Sequence, residues 1–556
     1  MKNHIIFWVL KKIKRRIPAI LLMTVAHVGN SLLGVYFALN TRNVIDTATS
    51  GNKDAFYSAV IIQLLIILGI LLCITVFRIL REKLVAKLDR DWKNELLHNL
   101  LHGEYASVSS YHSGELINRM TNDVRVIDDG LVAIVPSLAA MSTKLIAVAV
   151  VLIAMEPRFG ILIVLAGVIV MLATSVMRKH LKALNKRVSE CDGKVAGMLQ
   201  ETLEKLLVVQ AMDVSEEMEK RADHMMGERF SIQMRRKNVS LFANSTVSVL
   251  MYGASFGALV YGAIGLLGGT MTFGQMTALS QLVGQIQTPF VNMSGIYPQY
   301  IALLASAERL KELCDLHEEV SGENLDVAEE YHKMQVLKAE GVFFTYDRSQ
   351  VLQGAEFEMK KGSFGVITGA SGIGKSTILK LLLGIYKPDE GTFYLEKEDG
   401  KLTLDRSTRK LFAYVPQGNL LLSGTLRDNL ILTKPDATEE EIAHAVSVSA
   451  MDEYLSELPQ GLDTVIRENA GGLSEGQAQR LAVARAILSG APILLMDEAT
   501  SALDEETEKK VLNNIKALNN RTCIIVTHRK AAIDLCDWQL EMEQGPEKVT
   551  YRVILK

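Results

Sequence analysis

Six apolar stretches of spanning length crowd the first 300 residues of this 556-residue chain, near 17–40, 56–80, 133–155, 158–178, 241–267 and 272–297. About 20 apolar residues in a helix cross roughly 30 Å of hydrocarbon. Lipid offers no partner to a free N–H or C=O, so a run that crosses alone must be a helix. The pattern therefore predicts a bundle of six spans. The third and fourth stretches meet at Glu156, Pro157 and Arg158, and the fifth and sixth at Gly268 and Gly269, which predicts tight turns on one membrane face. The connections on the other face, 81–132 and 179–240, are long, charged and poor in proline, and are predicted to be helices that run on out of the membrane. Lys11, Lys12, Lys14, Arg15 and Arg16 precede the first stretch, whereas the 41–55 loop carries only Arg42 and Lys53. The positive-inside rule then places both termini and both long connections in the cytoplasm. A signal peptide also opens on basic residues, but here a full span follows and no small-residue cleavage site is evident, so the first stretch reads as retained.

Composition agrees and narrows the class. Hydrophobic residues make up 49% of the chain and mean hydropathy is +0.18, high for a wholly soluble protein. A net charge of −3 gives no footprint for nucleic acid. The five cysteines include no CxxC pair, so neither a zinc site nor a disulfide framework is supported. Composition shifts near 315, and acidic, polar residues from Glu318 to Glu330 predict a linker over 318–333. After it, β-branched runs alternate with helical patterns and glycine turns, as in a soluble α/β domain over 334–556. The membrane domain is assigned 1–317.

That second domain carries a phosphate-binding loop in its required setting. Val366-Ile-Thr368 is a strand-like run. It leads into Gly369-Ala-Ser-Gly-Ile-Gly-Lys-Ser376 and then into an apolar helical pattern from Ile378 to Leu383. Gly369, Gly372 and Gly374 let backbone N–H groups turn inward around phosphate oxygens, with Ser371 and Thr377 in the same loop and first turn. Lys375 is expected to reach the β- and γ-phosphates, and Ser376 to offer its hydroxyl to Mg²⁺. Further on, Ile493-Leu-Leu-Met-Asp-Glu498 reads as a buried strand ending in two acids. Asp497 is placed to hold Mg²⁺ and Glu498 to polarise an attacking water.

Between these elements, Leu473-Ser-Glu-Gly-Gln477 followed by Ala482-Val-Ala-Arg-Ala486 resembles the signature of the ATP-binding domain of ABC transporters, Leu-Ser-Gly-Gly-Gln, with Glu475 at its third position. The resemblance covers 334–530 and implies several further roles. Tyr346 would stack on adenine. Gln417, in Val415-Pro-Gln417, would sense Mg²⁺. Ser501-Ala-Leu-Asp504 would couple two nucleotide domains, and His528 would touch the γ-phosphate. In this family Ser474, Gly476 and Gln477 face the phosphate loop of another subunit. One chain therefore holds two half-sites, which implies a homodimer or a pairing with a related half-transporter.

The first half is similar to the exporter-type ABC membrane domain. Tyr111-His-Ser-Gly-Glu-Leu-Ile-Asn-Arg-Met-Thr-Asn-Asp123 looks like the family segment after the first coupling helix, and Glu201 to Met212 like the stretch with the second. The implied fold class is an all-α six-helix transmembrane domain plus an α/β P-loop nucleotide-binding domain of the ABC type. Within the spans, Gln281, Gln285, Thr288 and Asn292 fall on one face of the sixth, and Lys144 lies deep in the third. Polar groups are costly in lipid, so these line a substrate cavity or make helix–helix hydrogen bonds. The expectation is ATP-driven export of a peptide, lipid or amphipathic molecule across a bacterial plasma membrane, with ATP and Mg²⁺ as cofactors and the lipid bilayer as a partner. An importer on the same scaffold and an ATP-gated channel or sensor are the other readings. No cysteine-peptidase domain precedes the first span, so no cleavage of a leader peptide is expected.

Overall fold

A computed structural model describes residues 2–319, 325–346, 349–418, 421–466, 472–518, 520–545 and 549–555, without the side chains of 2–3, 164, 166, 168–180, 243–244, 247, 287–288 and 290–294. The chain divides into two compact units, one of 1–98 with 112–315, the other of 99–111 with 316–556.

The first unit is helical. Its long helices are Ile17–Thr49, Lys53–His102 (whose last turn groups with the second unit), Val124–Met155, Pro157–Glu204, Ser215–Leu267 and Phe273–Cys314. Among the described residues, four segments are long and apolar enough to cross a membrane: Lys14–Thr49, Lys53–His102, Ser113–Met155 and Ser248–Leu267. The stretches near 158–178 and 272–297 lie on the helices Pro157–Glu204 and Phe273–Cys314, where many side chains fall outside the description. On the helix Lys53–His102, Leu64, Leu65, Leu68, Leu71 and Leu72 are all exposed, an apolar surface suited to lipid.

Local chemistry explains the joints. Pro157 opens its helix at the first position, where a missing N–H costs nothing. Gly269 turns with φ +69°, and Thr272 then caps the last helix, its hydroxyl accepting from Gln275 N–H at 3.1 Å while the Gln275 side chain accepts from Thr272 N–H at 2.9 Å. Val35, Leu152, Phe159, Ala258, Leu279 and Leu282, from five helices, meet in one apolar cluster. Asn40, buried, donates to Ala59 O at 2.9 Å and to Gln63 Oε1 at 2.7 Å, tying the first two long helices together.

The second unit has two main sheets. Ser349–Lys360, Met334–Tyr346, Glu390–Lys397 and Gly400–Thr403 pair antiparallel in that order. The six-stranded sheet runs Val549–Leu555, Trp538–Gln544, Phe364–Gly369, Thr522–Val526, Ile493–Asp497, Phe412–Val415. Its last five strands are parallel and the first is antiparallel to its neighbour. Ile493–Asp497 and Thr522–Val526 are buried throughout, as parallel strands covered on both faces must be.

Within the predicted linker, residues 326–333 form a capped helix. Asp326 caps a helix Val327–Lys333 by accepting from the N–H groups of Ala328 and Glu329 at 3.0 and 3.1 Å. Tyr331 on that helix is buried, with its hydroxyl 3.0 Å from Thr522 Oγ1. Glu329 and Glu330, among the acidic residues that suggest a linker, fall in its first turn, where negative charge suits the helix dipole.

Candidate nucleotide site

Parallel strands bring their carboxyl ends to one edge, and the functional residues sit there. Val526 pairs with both Ile367 and Asp497, and Met496 with Val415. That register sets the loop after Gly369, the pair Asp497–Glu498, His528 and Gln417 side by side.

The phosphate loop has the backbone its sequence requires. Gly374 lies at φ +108°, and a Cβ there would come within 2.6 Å of Val351 Cγ1. At Gly369, φ +146°, a Cβ would meet Met542 O at 2.4 Å. Only glycine meets both demands. The helix Lys375–Leu382 follows at once, anchored by Ile378, Leu379, Leu381 and Leu382. Lys375 is buried and its ammonium donates to Gly369 O at 2.7 Å and Ala370 O at 2.9 Å, with His528 Nε2 3.1 Å away. Burial lowers the Lys375 pKa, opposed by the charges of Glu498 and Asp497. A polyanion at the loop would favour the charged form and give the ammonium stronger acceptors than carbonyls.

Ser376 Oγ donates to Asp497 Oδ1 at 2.9 Å, and Tyr414 OH lies 3.4 Å from Asp497 Oδ2. Asp497 is buried. Desolvation raises its pKa, the hydrogen bonds from Ser376 and Tyr414 oppose the rise, and the nearby Glu498 charge adds to it. A buried carboxylate beside a hydroxyl, with only neutral donors on it, is a hard-oxygen pair that fits Mg²⁺. Among the described residues no group of three His, Cys, Asp or Glu forms a metal cage.

Glu498 N–H continues the strand ladder to Val526 O at 2.9 Å, and the residue then turns into the left-handed region at φ +50°. A non-glycine residue there is strained by about 1–2 kcal/mol, which fixes the carboxylate at the strand end. Gln417 Nε2 donates to Glu498 Oε2 at 2.7 Å. Tyr346, at the end of its strand, packs edge-on against Phe344 and Tyr386, with centroids 4.7 and 5.2 Å away.

The signature forms the start of the helix Glu475–Leu488. Ser474 Oγ accepts from Gln477 N–H at 3.2 Å and the Gln477 side chain accepts from Ser474 N–H at 2.8 Å. That box satisfies two of the four unpaired donors of the helix and leaves the N–H groups of Glu475 and Gly476 without an intrahelical acceptor. Glu475, exposed in the first turn, stands where negative charge stabilises a helix. A Cβ on Gly476 would lie 2.9 Å from Ala502 O, so glycine is what lets the 501–504 loop pack against the signature. Asp504 caps the helix Glu505–Lys516, accepting from Glu506 and Thr507 N–H at 3.1 and 2.9 Å. Those bonds hold its carboxyl below the usual range, the Thr507 backbone contributing most.

Two residues escape sequence reasoning. Gln479 donates to Ser501 Oγ at 3.0 Å and accepts from Ala502 N–H at 3.1 Å. Arg529, next to His528, donates to Leu503 O at 2.7 Å, to Ser501 O, and to Glu508 Oε2 at 3.1 Å. Both clamp the 501–504 loop. In the helical unit, Gln285 donates to Gly34 O at 2.8 Å, a bond between two helices. Gln281 and Lys144 are half-buried, and the side chains of Thr288 and Asn292 lie outside the described residues.

A phosphate loop on a parallel sheet, two acids at the neighbouring strand end, a histidine between them and a signature helix define a P-loop nucleotide-binding unit, here joined to a helical membrane unit. The family described as ABC transporter transmembrane region matches residues 17–290, and that described as ABC transporter matches 352–501. The chain belongs to the ABC transporter family. It is similar to the cyclolysin secretion/processing ATP-binding protein of Bordetella pertussis, 29% identical over 375 residues, which cover 67% of this chain and 52% of that protein. An ATP-dependent permease of Candida albicans is 29% identical over 447 residues, 78% of this chain and 64% of that one. The chain thus spans about half the length of the first of these relatives. The solved structure of a bacterial Atm1-family ABC exporter with ATP bound superposes with a TM-score of 0.76 at 25% identity, covering 95% of this chain and 93% of that one.

Proposed function

We propose that this chain is one half of an ATP-driven exporter. The observation that carries the reading is the convergence of Lys375, Ser376, Asp497, Glu498, Gln417 and His528 on one sheet edge, in a chain whose other unit matches an ABC transmembrane region. The likeness along nearly the whole chain to an exporter with ATP bound supports it.

Lys375 and the loop N–H groups hold the phosphates. Ser376 and Asp497, with Gln417 held nearby on Glu498, would hold Mg²⁺, which would supply positive charge against the phosphates. Glu498 orients and accepts a proton from the attacking water, and His528 donates to the γ-phosphate. Tyr346 offers its ring to adenine. The free N–H groups of Glu475 and Gly476 form an anion-binding helix end. In the family arrangement that end meets the phosphate loop of a second subunit, so a homodimer, or a pair with a related half-transporter, completes two sites. Closure on ATP and release after hydrolysis bias a two-state interface and drive alternating access in the membrane unit. The basic N-terminal cluster supports cytoplasmic termini in a bacterial plasma membrane. A relative named for cyclolysin secretion supports outward transport, with a peptide, a lipid or an amphipathic small molecule as the cargo.

The test is ATP turnover by the purified chain in lipid nanodiscs, with Glu498→Gln as control, followed by uptake into sealed inverted vesicles. Glu498-dependent turnover and ATP-driven accumulation inside the vesicles are expected. Absence of turnover in a folded sample supplied with a related half-transporter as well would sink the reading, and equilibration without accumulation would mark a channel instead.

A further inference from the structure

The helices Ile17–Thr49 and Lys53–His102 leave a polar cleft between them. Toward their middles they touch: a Cβ on Gly29 would lie 3.5 Å from Cys73 Sγ, and one on Gly69 3.1 Å from Leu33. Further along, Arg16 Nε donates to Asp91 Oδ2 at 3.2 Å. Between these contacts opens a cleft of about 290 Å³, whose lining includes His27, Asn30, Phe77, Arg78, Arg81 and Glu82. His27 stacks on Phe77 with centroids 4.6 Å apart, and Arg81 donates to Asp129 at 3.1 Å. Arg78 and Glu82, one turn apart, pair neither with each other nor with any other described residue. The side chains of His27 and Asn30 have no hydrogen bond among the described residues either. A cation, an anion and two neutral polar groups thus face one cleft unpaired, on helices otherwise suited to lipid, where such groups are costly. Depth says what can satisfy them. From Lys53 to Arg78 the helix runs about 37 Å, more than the roughly 30 Å of hydrocarbon, so Arg78 lies at headgroup level. Exposed Lys83, Lys87 and Arg90 continue outward from it. Inward, the stripe of Glu82, Arg78 and Ile74 continues as Leu71, Ile67 and Leu64, all three exposed.

We infer that this cleft is a site for one resident phospholipid with a zwitterionic, primary-ammonium headgroup, separate from any transported cargo. Arg78 takes the phosphate, because Arg81 is already engaged by Asp129. Glu82, one turn further outward, takes the ammonium. His27 and Asn30, deeper in the cleft, meet the ester oxygens. The acyl chains lie along Leu71, Ile67 and Leu64. The order of groups along the helix, apolar stripe, neutral donors, cation and then anion, is the order of groups along such a lipid. A cleft of about 290 Å³ holds a headgroup and not the chains, which the exposed stripe accommodates outside it. A purely anionic lipid would leave Glu82 unpaired beside a like charge, and a quaternary ammonium has no N–H to give it.

The experiment is native mass spectrometry of the full, delipidated chain in detergent, titrated with dioleoyl phosphatidylethanolamine, phosphatidylcholine or phosphatidylglycerol. One phosphatidylethanolamine per chain should bind about threefold to tenfold more tightly than either other lipid. Glu82→Gln should bring phosphatidylethanolamine down to the level of phosphatidylcholine and leave phosphatidylcholine itself unchanged. Arg78→Gln should weaken all three lipids about tenfold or more. Arg90→Gln, which removes an exposed cation of the same helix outside the cleft, should change nothing. Soluble glycerophosphoethanolamine at equal concentration should not displace the lipid, and ATP with Mg²⁺ should leave it bound. Phosphatidylethanolamine no tighter than phosphatidylcholine in the unaltered chain, or a preference that survives Glu82→Gln, overturns the inference. An equal loss in Arg90→Gln and Arg78→Gln marks unspecific charge and also overturns it. Displacement by the soluble headgroup would assign the cleft to a water-borne ligand, and release on ATP turnover would make the lipid a cargo; either result refutes a resident lipid. Should Arg78→Gln not fold, the isosteric and exposed Glu82→Gln decides alone.

Discussion

Arg529 and Glu508 form the tie whose loss can be sized from burial alone. The Glu508 side chain is 2% exposed, and its two oxygens accept from Thr500 Oγ1 at 2.8 Å and Arg529 at 3.1 Å. Arg529→Ala removes the charge partner and two further donations, to the carbonyls of Leu503 and Ser501. A buried carboxylate then keeps one neutral donor. Breaking such a pair costs roughly 3–5 kcal/mol. Arg529 is about one-third exposed, so water reaches the gap and the lower end, about 3 kcal/mol, applies. For a unit of this size that corresponds to a fall of roughly 6–12 °C in midpoint. Trp538, buried in the same unit, reports unfolding by fluorescence in a Trp8→Phe/Trp92→Phe background. Glu508→Gln removes the charge but keeps an acceptor, and should cost about 1 kcal/mol. The double variant Arg529→Ala/Glu508→Gln should be more stable than Arg529→Ala alone, because it removes the stranded charge. A midpoint shift below about 2 °C for Arg529→Ala, or a double variant less stable than the single, would falsify the argument.

Glu498→Gln should lower ATP turnover about 10²- to 10⁴-fold, the usual worth of a general base, while radiolabelled ATP still binds, because the amide oxygen can accept from Gln417. Gly476→Ala should leave thermal stability near that of the unaltered chain, since alanine suits a helix better. A Cβ 2.9 Å from Ala502 O would displace the 501–504 loop, so a steady-state assay should show turnover reduced about tenfold, the kinetic equivalent of 1.4 kcal/mol. Asp504→Ala should destabilise the helix Glu505–Lys516 at neutral pH. The Asp504 carboxyl lies below its ordinary range in the folded state, so its stabilisation is present above the unfolded pKa and is lost as pH falls through the folded one. The gap between Asp504→Ala and the unaltered chain should be flat at neutral pH and close in acid, read by thermal unfolding across a pH series.

What the sequence makes legible here is local. The glycine spacing of 369–376 and the acids after an apolar run each carry their chemistry within a few residues, and the structure brings them together because parallel strands align their ends. Tyr346 is readable only by its spacing before the phosphate loop and His528 only by its place after a strand, both through family resemblance. The clamps on the 501–504 loop depend on which strand lies beside which, and no local pattern encodes that. One signal was nevertheless available. Glu508 falls on the apolar stripe of its helix with Val511, Leu512 and Ile515, and an acid in that register demands a buried partner. Gln479, between Ala478 and Leu481 on a buried face, is the same kind of mark. Gln285 shows the limit of such marks: periodicity places it on a polar face of its helix, but cannot say that its amide nitrogen meets a backbone carbonyl, Gly34 O.

The helical unit uses the same device as the Arg529 tie. Asp123, fully buried, accepts from Arg309 Nε at 2.8 Å and from Ser306 Oγ at 2.8 Å. Arg119, also buried, donates to Arg309 O at 2.9 Å, Glu312 at 2.8 Å and Glu115 at 2.7 Å. These bonds join a π-helical turn, Arg119–Asp123, to the last turns of Phe273–Cys314, across some 190 residues of sequence. A wide turn of this kind inserts a residue and re-aims the helix that follows, here Val124–Met155. Apolar packing of similar volume would be as stable as a buried ion pair, or more so. It would not fix the rotation of one helix against another, since apolar contacts slide while a two-pronged arginine–carboxylate pair has one geometry. Asp128, one turn beyond, shows the distinction: it is equally buried, yet neither oxygen has a hydrogen-bond partner among the described residues. Burial of an acid is therefore not what holds this junction. The guanidinium is: Arg119 and Arg309 tie 119–123 to 306–312, as Arg529 ties 501–508.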